Sequence, residues 1–145
     1  MAVPPRLSLV TLGAREVPTL RRFYECLWGP SPSPPGEEFA RFELGGAVLA
    51  IFALPALAEE VGLPAQSDED SFAGFTCSIN VEEEAMVDEA MAAVREVGGR
   101  VLAEPTAQEW GGRSGYFADP ETNVWEIAWV PGASFDARGA LVWPG

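Results

Sequence analysis

The side chains able to do chemistry in this sequence are few in kind, and the absences narrow the field first. The 145 residues include no histidine and no lysine, and all nine basic residues are arginines. A Ser-His-Asp or Cys-His site, a Schiff-base lysine and any metal site built on imidazole are therefore excluded. Proton transfer could fall only to carboxylates, tyrosines, cysteines or water. Cys26 and Cys77 form no CxxC pair. With no histidine to activate them, both are expected to be small buried residues.

The remaining polar groups gather in the second half, on strand-like segments whose alternation sorts them by face. In Phe75 to Val81, the residues Thr76, Ser78 and Asn80 share one face, and Phe75, Cys77, Ile79 and Val81 share the other. In Val124 to Val130, Glu126 lies with Val124 and Ala128, opposite Trp125, Ile127 and Trp129. A carboxylate on so apolar a face calls for a cationic partner, for which Arg113 and Arg41 are the candidates. It would serve either as counter-ion to a ligand or as a group satisfied internally. Trp110 and Tyr116 flank Gly111-Gly112-Arg113-Ser114-Gly115. Trp110 is either a stacking plate or a packed loop anchor. No GxxxxGK[ST] pattern is present, so these glycines do not make a phosphate loop.

The elements that must hold these residues recur. Leu7 to Leu12 reads as a strand. Leu20, Phe23, Tyr24 and Leu27 draw one apolar helix face, opened by Pro18 and stopped by Gly29 and the Pro-rich stretch to Gly36. Phe39 to Leu44 and Ala47 to Phe52 read as strands joined by Gly45-Gly46. On them Val48, Ala50 and Phe52 share a face, as Leu7, Leu9 and Thr11 do on the first strand. A short helix is expected over Pro55 to Val61, ended by Gly62, and an exposed loop over Gln66 to Ser71. The order then repeats: strand to Val81, helix over Glu82 to Val97 with Val87, Met91 and Val94 as its stripe, then strands at Arg100 to Ala103, Gly115 to Ala118 and Val124 to Val130. Asp119-Pro120-Glu121 marks a tight turn. Leu9 to Ala14 superimposes on Thr76 to Val81, so the chain is read as two copies of one βαβββ unit.

Length fits one domain. The net charge is −13. Eleven acids and no base fall between Phe42 and Val94. Such a surface repels nucleic acid phosphates and anionic lipid and could attract a cationic ligand, although a merely solubilising surface explains it equally. No apolar run is long enough to cross a bilayer, and the N-terminal residues lack signal-peptide character, so a cytoplasmic location is expected.

Taken together, Leu9-Val10-Thr11-Leu12 leading to Arg22-Phe23-Tyr24-Glu25, then Gly74-Phe75, then the run Trp110 to Pro120 closing on Trp125-Glu126-Ile127-Ala128 resemble the vicinal oxygen chelate superfamily. That superfamily includes glyoxalase I, extradiol dioxygenases and bleomycin resistance proteins. The resemblance implies an α+β fold: two βαβββ modules forming a cupped, curved mixed sheet with helices on its outer face. The chain would be a single domain, 1–145, with repeat 1 over about 6–53, a connector over 54–73, repeat 2 over about 74–131 and a tail over 132–145. It also implies four metal-ligand slots, falling here on Leu9, Ala50, Thr76 and Glu126, and a homodimer. Those four residues do not make a metal site, which argues against metal-dependent glyoxalase or dioxygenase activity.

The expected function is therefore a non-enzymatic binder that sequesters a planar or cationic drug or metabolite in the cup, without metal or cofactor. Its ligand-binding residues would be Thr11, Phe52, Thr76, Ser78, Asn80, Trp110, Arg113, Tyr116 and Glu126. Its partners would be that small molecule and a second copy of the chain, with no nucleic acid and no membrane. The alternative is a metal-independent lyase or isomerase using Glu126 as general acid or base. A metalloenzyme with ligands in another register is a third reading.

Overall fold

A computed structural model of the chain describes Val3, residues 5–66 and residues 71–145. The chain opens with β1 (Leu9–Ala14), followed by α1 (Val17–Trp28), β2 (Phe39–Leu44) and β3 (Ala47–Ala53). After α2 (Leu54–Val61) come β4 (Cys77–Asn80), α3 (Ala85–Glu96), β5 (Arg100–Ala107), β6 (Arg113–Ala118) and β7 (Val124–Trp129). A short hairpin of β8 (Ser134–Phe135) and β9 (Leu141–Val142) ends it. The strands form two mixed sheets, β1-β3-β2 and β4-β7-β6-β5, each with its first strand parallel to its last.

The first module carries one strand fewer than the repeat implied, because no counterpart of β5 follows α1. The intervening stretch holds Pro30, Pro32, Pro34 and Pro35, which offer no N–H to a ladder. Two serines close the open edge instead. Ser33 Oγ accepts the Arg41 N–H at 3.2 Å, and Ser31 Oγ donates to the Arg41 carbonyl at 2.7 Å.

Helix α1 starts with Pro18 in its first turn and stops at Gly29, whose φ is 91°. Its N-terminus is held by the second module, since the Glu121 carboxylate accepts the N–H groups of Arg15 and Glu16 at 2.8 and 3.1 Å. That carboxylate at a helix N-terminus also complements the dipole. Helix α2 ends at Gly62 with φ 82°, and its Leu54 and Leu57 lie against Gly13 of β1.

One hydrophobic cluster gathers the helix-side faces of both sheets. Leu20, Phe23, Val87, Met91, Trp125 and Ile127 are all buried in it, as the periodicity required. Tyr24 is central: its ring lies 5.9 Å from those of both Phe42 and Trp125, one on each sheet. Cys26, expected buried, is exposed, because it follows Tyr24 and Glu25 onto the solvent side of α1. Phe75, expected in the strand and under the helix, precedes β4 and is 55% exposed. Residues 67–70 of the expected Gln66–Ser71 loop lie outside the described residues. Among the described residues, no helix is long and apolar enough to cross a membrane.

Candidate functional site

Each sheet has a second face, away from the cluster, set by strand alternation. On the smaller sheet this face carries Leu9, Thr11, Arg41 and Phe52. Phe52 meets Phe39 edge-on at 6.4 Å. The row Thr11, Ala50, Arg41 runs across the three strands. On the larger sheet the matching row is Ser78, Glu126, Tyr116. The two parallel and antiparallel ladders on either side of β7 bring these three together.

Within that row Glu126 receives two hydroxyls. Ser78 Oγ donates to Oε1 at 2.9 Å, and the Tyr116 hydroxyl donates to Oε2 at 2.9 Å. The bond to Glu126 holds the Tyr116 phenol above its ordinary value, with partial burial and the carboxylate charge adding to it. Neither arginine candidate is the partner. Arg113 alternates with Tyr116 and so points to the helix side, where its guanidinium grips Asp88 of α3 in a fork at 2.7 and 2.9 Å. That pairing lowers the Asp88 carboxyl. Arg41 lies on the other sheet, and its side chain makes no hydrogen bond or ion pair among the described residues. Glu126 thus faces the open side with two neutral donors and no cation among the described residues.

The other expected residues divide. Asn80 continues the Ser78 face opposite Ala128, and Thr76 lies just before β4. Trp110 is 54% exposed but folds back on its own loop, closely enough that a Cβ on Gly112 would overlap the indole. Thr11 and Phe52 belong to the smaller sheet, and the Glu126 row belongs to the larger one.

Sequence reasoning passed over two features. Beside Tyr116 the open face dips into a groove of about 330 Å³, bounded by Phe72, Arg100, Leu102, Thr122 and Val124. Thr122 has φ 67°, a left-handed conformation costly for a β-branched residue. The second is a buried polar knot joining the modules. Asp119 accepts the Tyr24 hydroxyl at 2.5 Å and Asn123 Nδ2 at 2.9 Å, while Trp125 Nε1 donates to the Tyr24 oxygen at 2.8 Å. The Asp119-Pro120-Glu121 turn signal was visible, but nothing in it named Tyr24.

The slots implied for a metal can be tested on their donors. Leu9 and Ala50 have none. Across the strands Thr11 rather than Leu9 stands beside Ala50, and Ser78 rather than Thr76 beside Glu126. Either register offers one carboxylate and hydroxyls, which does not fit a transition metal. Among the described residues no group of three or more His, Cys, Asp or Glu could hold a metal ion.

Fold and open face define a two-module α+β protein with a carboxylate–hydroxyl cluster on one sheet. The Glyoxalase/Bleomycin resistance protein/Dioxygenase superfamily matches residues 10–127, and the chain belongs to it. A glyoxalase-related enzyme from Fulvimarina pelagi is similar at 30% identity, covering 98% of this chain and 100% of that one, with a TM-score of 0.86. A glyoxalase/bleomycin resistance protein/dioxygenase from Nocardioides is 24% identical over 88% and 84% of the two chains, with a TM-score of 0.73. Lactoylglutathione lyase from Agrobacterium tumefaciens is 18% identical over 87% and 94%, with a TM-score of 0.65. At these last two identities the likeness concerns the fold. No curated protein matches the chain.

Proposed function

We propose that this protein is a metal-independent binder of a small planar molecule bearing a cationic group, held on the open face of the larger sheet. The observation that carries this is Glu126, aimed to the open side between the hydroxyls of Ser78 and Tyr116 with no cation among the described residues to neutralise it. An ammonium would complete the site. A charge-assisted bond of this kind contributes roughly 1.5–3 kcal/mol. Glu126→Gln should therefore weaken binding of a biphenyl methylamine about tenfold or more by calorimetry, with the melting curve little changed. Unchanged affinity would remove Glu126 from the site. Native mass spectrometry of the purified protein would identify a co-purifying ligand.

A second reading is supported by the Tyr116–Glu126 hydrogen bond itself. A carboxylate paired with a phenol can pass a proton to or from a bound substrate, as a metal-independent lyase or isomerase would require. Recovery of the co-purifying compound unchanged after prolonged incubation separates binder from enzyme.

The working unit in this proposal is a homodimer. Leu7, Leu9 and Phe39 on or beside the open face of the smaller sheet are 70%, 48% and 43% exposed, an apolar surface that a second copy would cover. Sedimentation velocity at micromolar concentration should give twice the monomer mass. A monomer would sink this part.

A further inference from the structure

The Glu126 site leaves the groove beside it without a role. Four observations meet there. Phe72 and Leu102, 64% and 45% exposed, both line it, and apolar side chains so exposed in one groove favour an occupant that covers both. Thr122 keeps a β-branched side chain at the rim in a left-handed conformation, where glycine would be cheaper; such strain gathers at functional sites. Arg100 also lines it, and in a chain of 22 acids and nine bases its guanidinium has no acid partner among the described residues. Finally, Tyr116 belongs both to this groove and to the Glu126 row, so the two are continuous.

We propose that the groove receives the carboxylate-bearing arm of the ligand, with Arg100 binding the carboxylate and Phe72 and Leu102 clasping an apolar spacer. This rests on the reading of Glu126 as the site for a cation, and extends it to a substrate class: an elongated zwitterion with an ammonium at one end and a carboxylate at the other. Arg100 and Glu126 lie two strands and two residues apart through the pairs Arg100–Ala118–Val124 and Tyr116–Glu126, about 12 Å at the backbone. A spacer of two aromatic rings matches that span. Overall charge agrees with a zwitterion over a plain anion, since a net charge of −13 repels free carboxylates and leaves a neutral dipolar molecule unhindered.

The test uses three probes on one scaffold: biphenyl with a para aminomethyl group and a para′ carboxylate, biphenyl with the amine alone, and biphenyl with the carboxylate alone. Calorimetry is run on the wild type, Arg100→Gln and Glu126→Gln. The zwitterion should bind the wild type about tenfold or more tighter than the amine-only probe. Arg100→Gln should erase that advantage and leave the amine-only affinity unchanged. Glu126→Gln should weaken both amines. Zwitterion and amine binding equally, an advantage that survives Arg100→Gln, or no binding by any probe would each overturn the inference. Failure of the Glu126 reading shows separately, as amine-only binding indifferent to Glu126→Gln. Because Arg100 is exposed and unpartnered among the described residues, its variant should fold normally, and a melting curve checks this. Backbone amide shifts along β5 on adding the zwitterion give an independent localisation, and their absence would count against the groove.

Discussion

Asp119 sits in the turn of the β6–β7 hairpin and Glu126 midway along its second strand, and their surroundings give them different work. Asp119 is 4% exposed. Burial pushes its carboxyl up, and the opposing bonds from Tyr24, Asn123 and the Glu121 N–H do not offset this. The Tyr24 phenol is likewise held well above its ordinary value, by burial first and then by Asp119. The sign of the consequence follows from linkage. A carboxyl raised in the folded state keeps its proton when the unfolded chain has already lost it. Its contribution to stability therefore falls as pH rises from the ordinary aspartate range through the higher folded value. Asp119→Asn removes that titration and turns an amide toward the Tyr24 hydroxyl, so the variant should melt lower than the wild type. The gap should narrow as pH rises through that window, which melting curves of both proteins at matched ionic strength will show. A gap that widens with pH would mean that Asp119 is stabilised as the anion.

At the scale of elements, what was legible depended on whether the signal was local. Helix faces, the Gly45-Gly46 turn, Gly29 and Gly62 as stops and the alternation of β7 all follow from residues close in sequence, and the structure has them. The repeat predicts a third strand in the first module, but the four prolines in its place offer no N–H to a ladder. Alternation and the implied ligand slot both single out Glu126, but its partners are set by the registers of β4 and β6 against β7, which one sequence does not display. The same holds for Arg113: the sequence predicts a strand only from Gly115, whereas β6 begins at Arg113 and so fixes that side chain on the helix side. The serine pair that closes β2 makes a prediction. Replacing both Ser31 and Ser33 by alanine strands the N–H and carbonyl of Arg41, at a cost of about 1–3 kcal/mol. It also reopens an edge able to pair with another chain. The double variant should melt lower and show concentration-dependent association by light scattering, while Pro32→Ala leaves both unchanged. Equal behaviour of the two variants would show that the serines do not guard the edge.

Over the whole molecule, the two modules are joined through α1, whose Tyr24 touches both sheets and whose N-terminus is held by Glu121. The chain carries 22 acids against nine arginines, and pairs such as Arg113–Asp88 neutralise only part of that charge. The remaining repulsion is long-ranged at low salt, where the Debye length is about 30 Å at 0.01 M, and short at 0.15 M, where it is about 8 Å. Adding sodium chloride across that range at pH 7 should raise Tm. Lowering pH toward the isoelectric point near 4.2 should also relieve the repulsion, in the same direction as protonation of Asp119. The two causes separate because salt screens exposed charges and leaves a buried carboxylate almost untouched. At high salt the wild type should keep a residual fall in stability with rising pH, and Asp119→Asn should lose that residue of the slope. If salt abolishes the wild-type slope entirely, the acidic surface alone governs the pH response. Asp119 would then be a structural bond acceptor and no more.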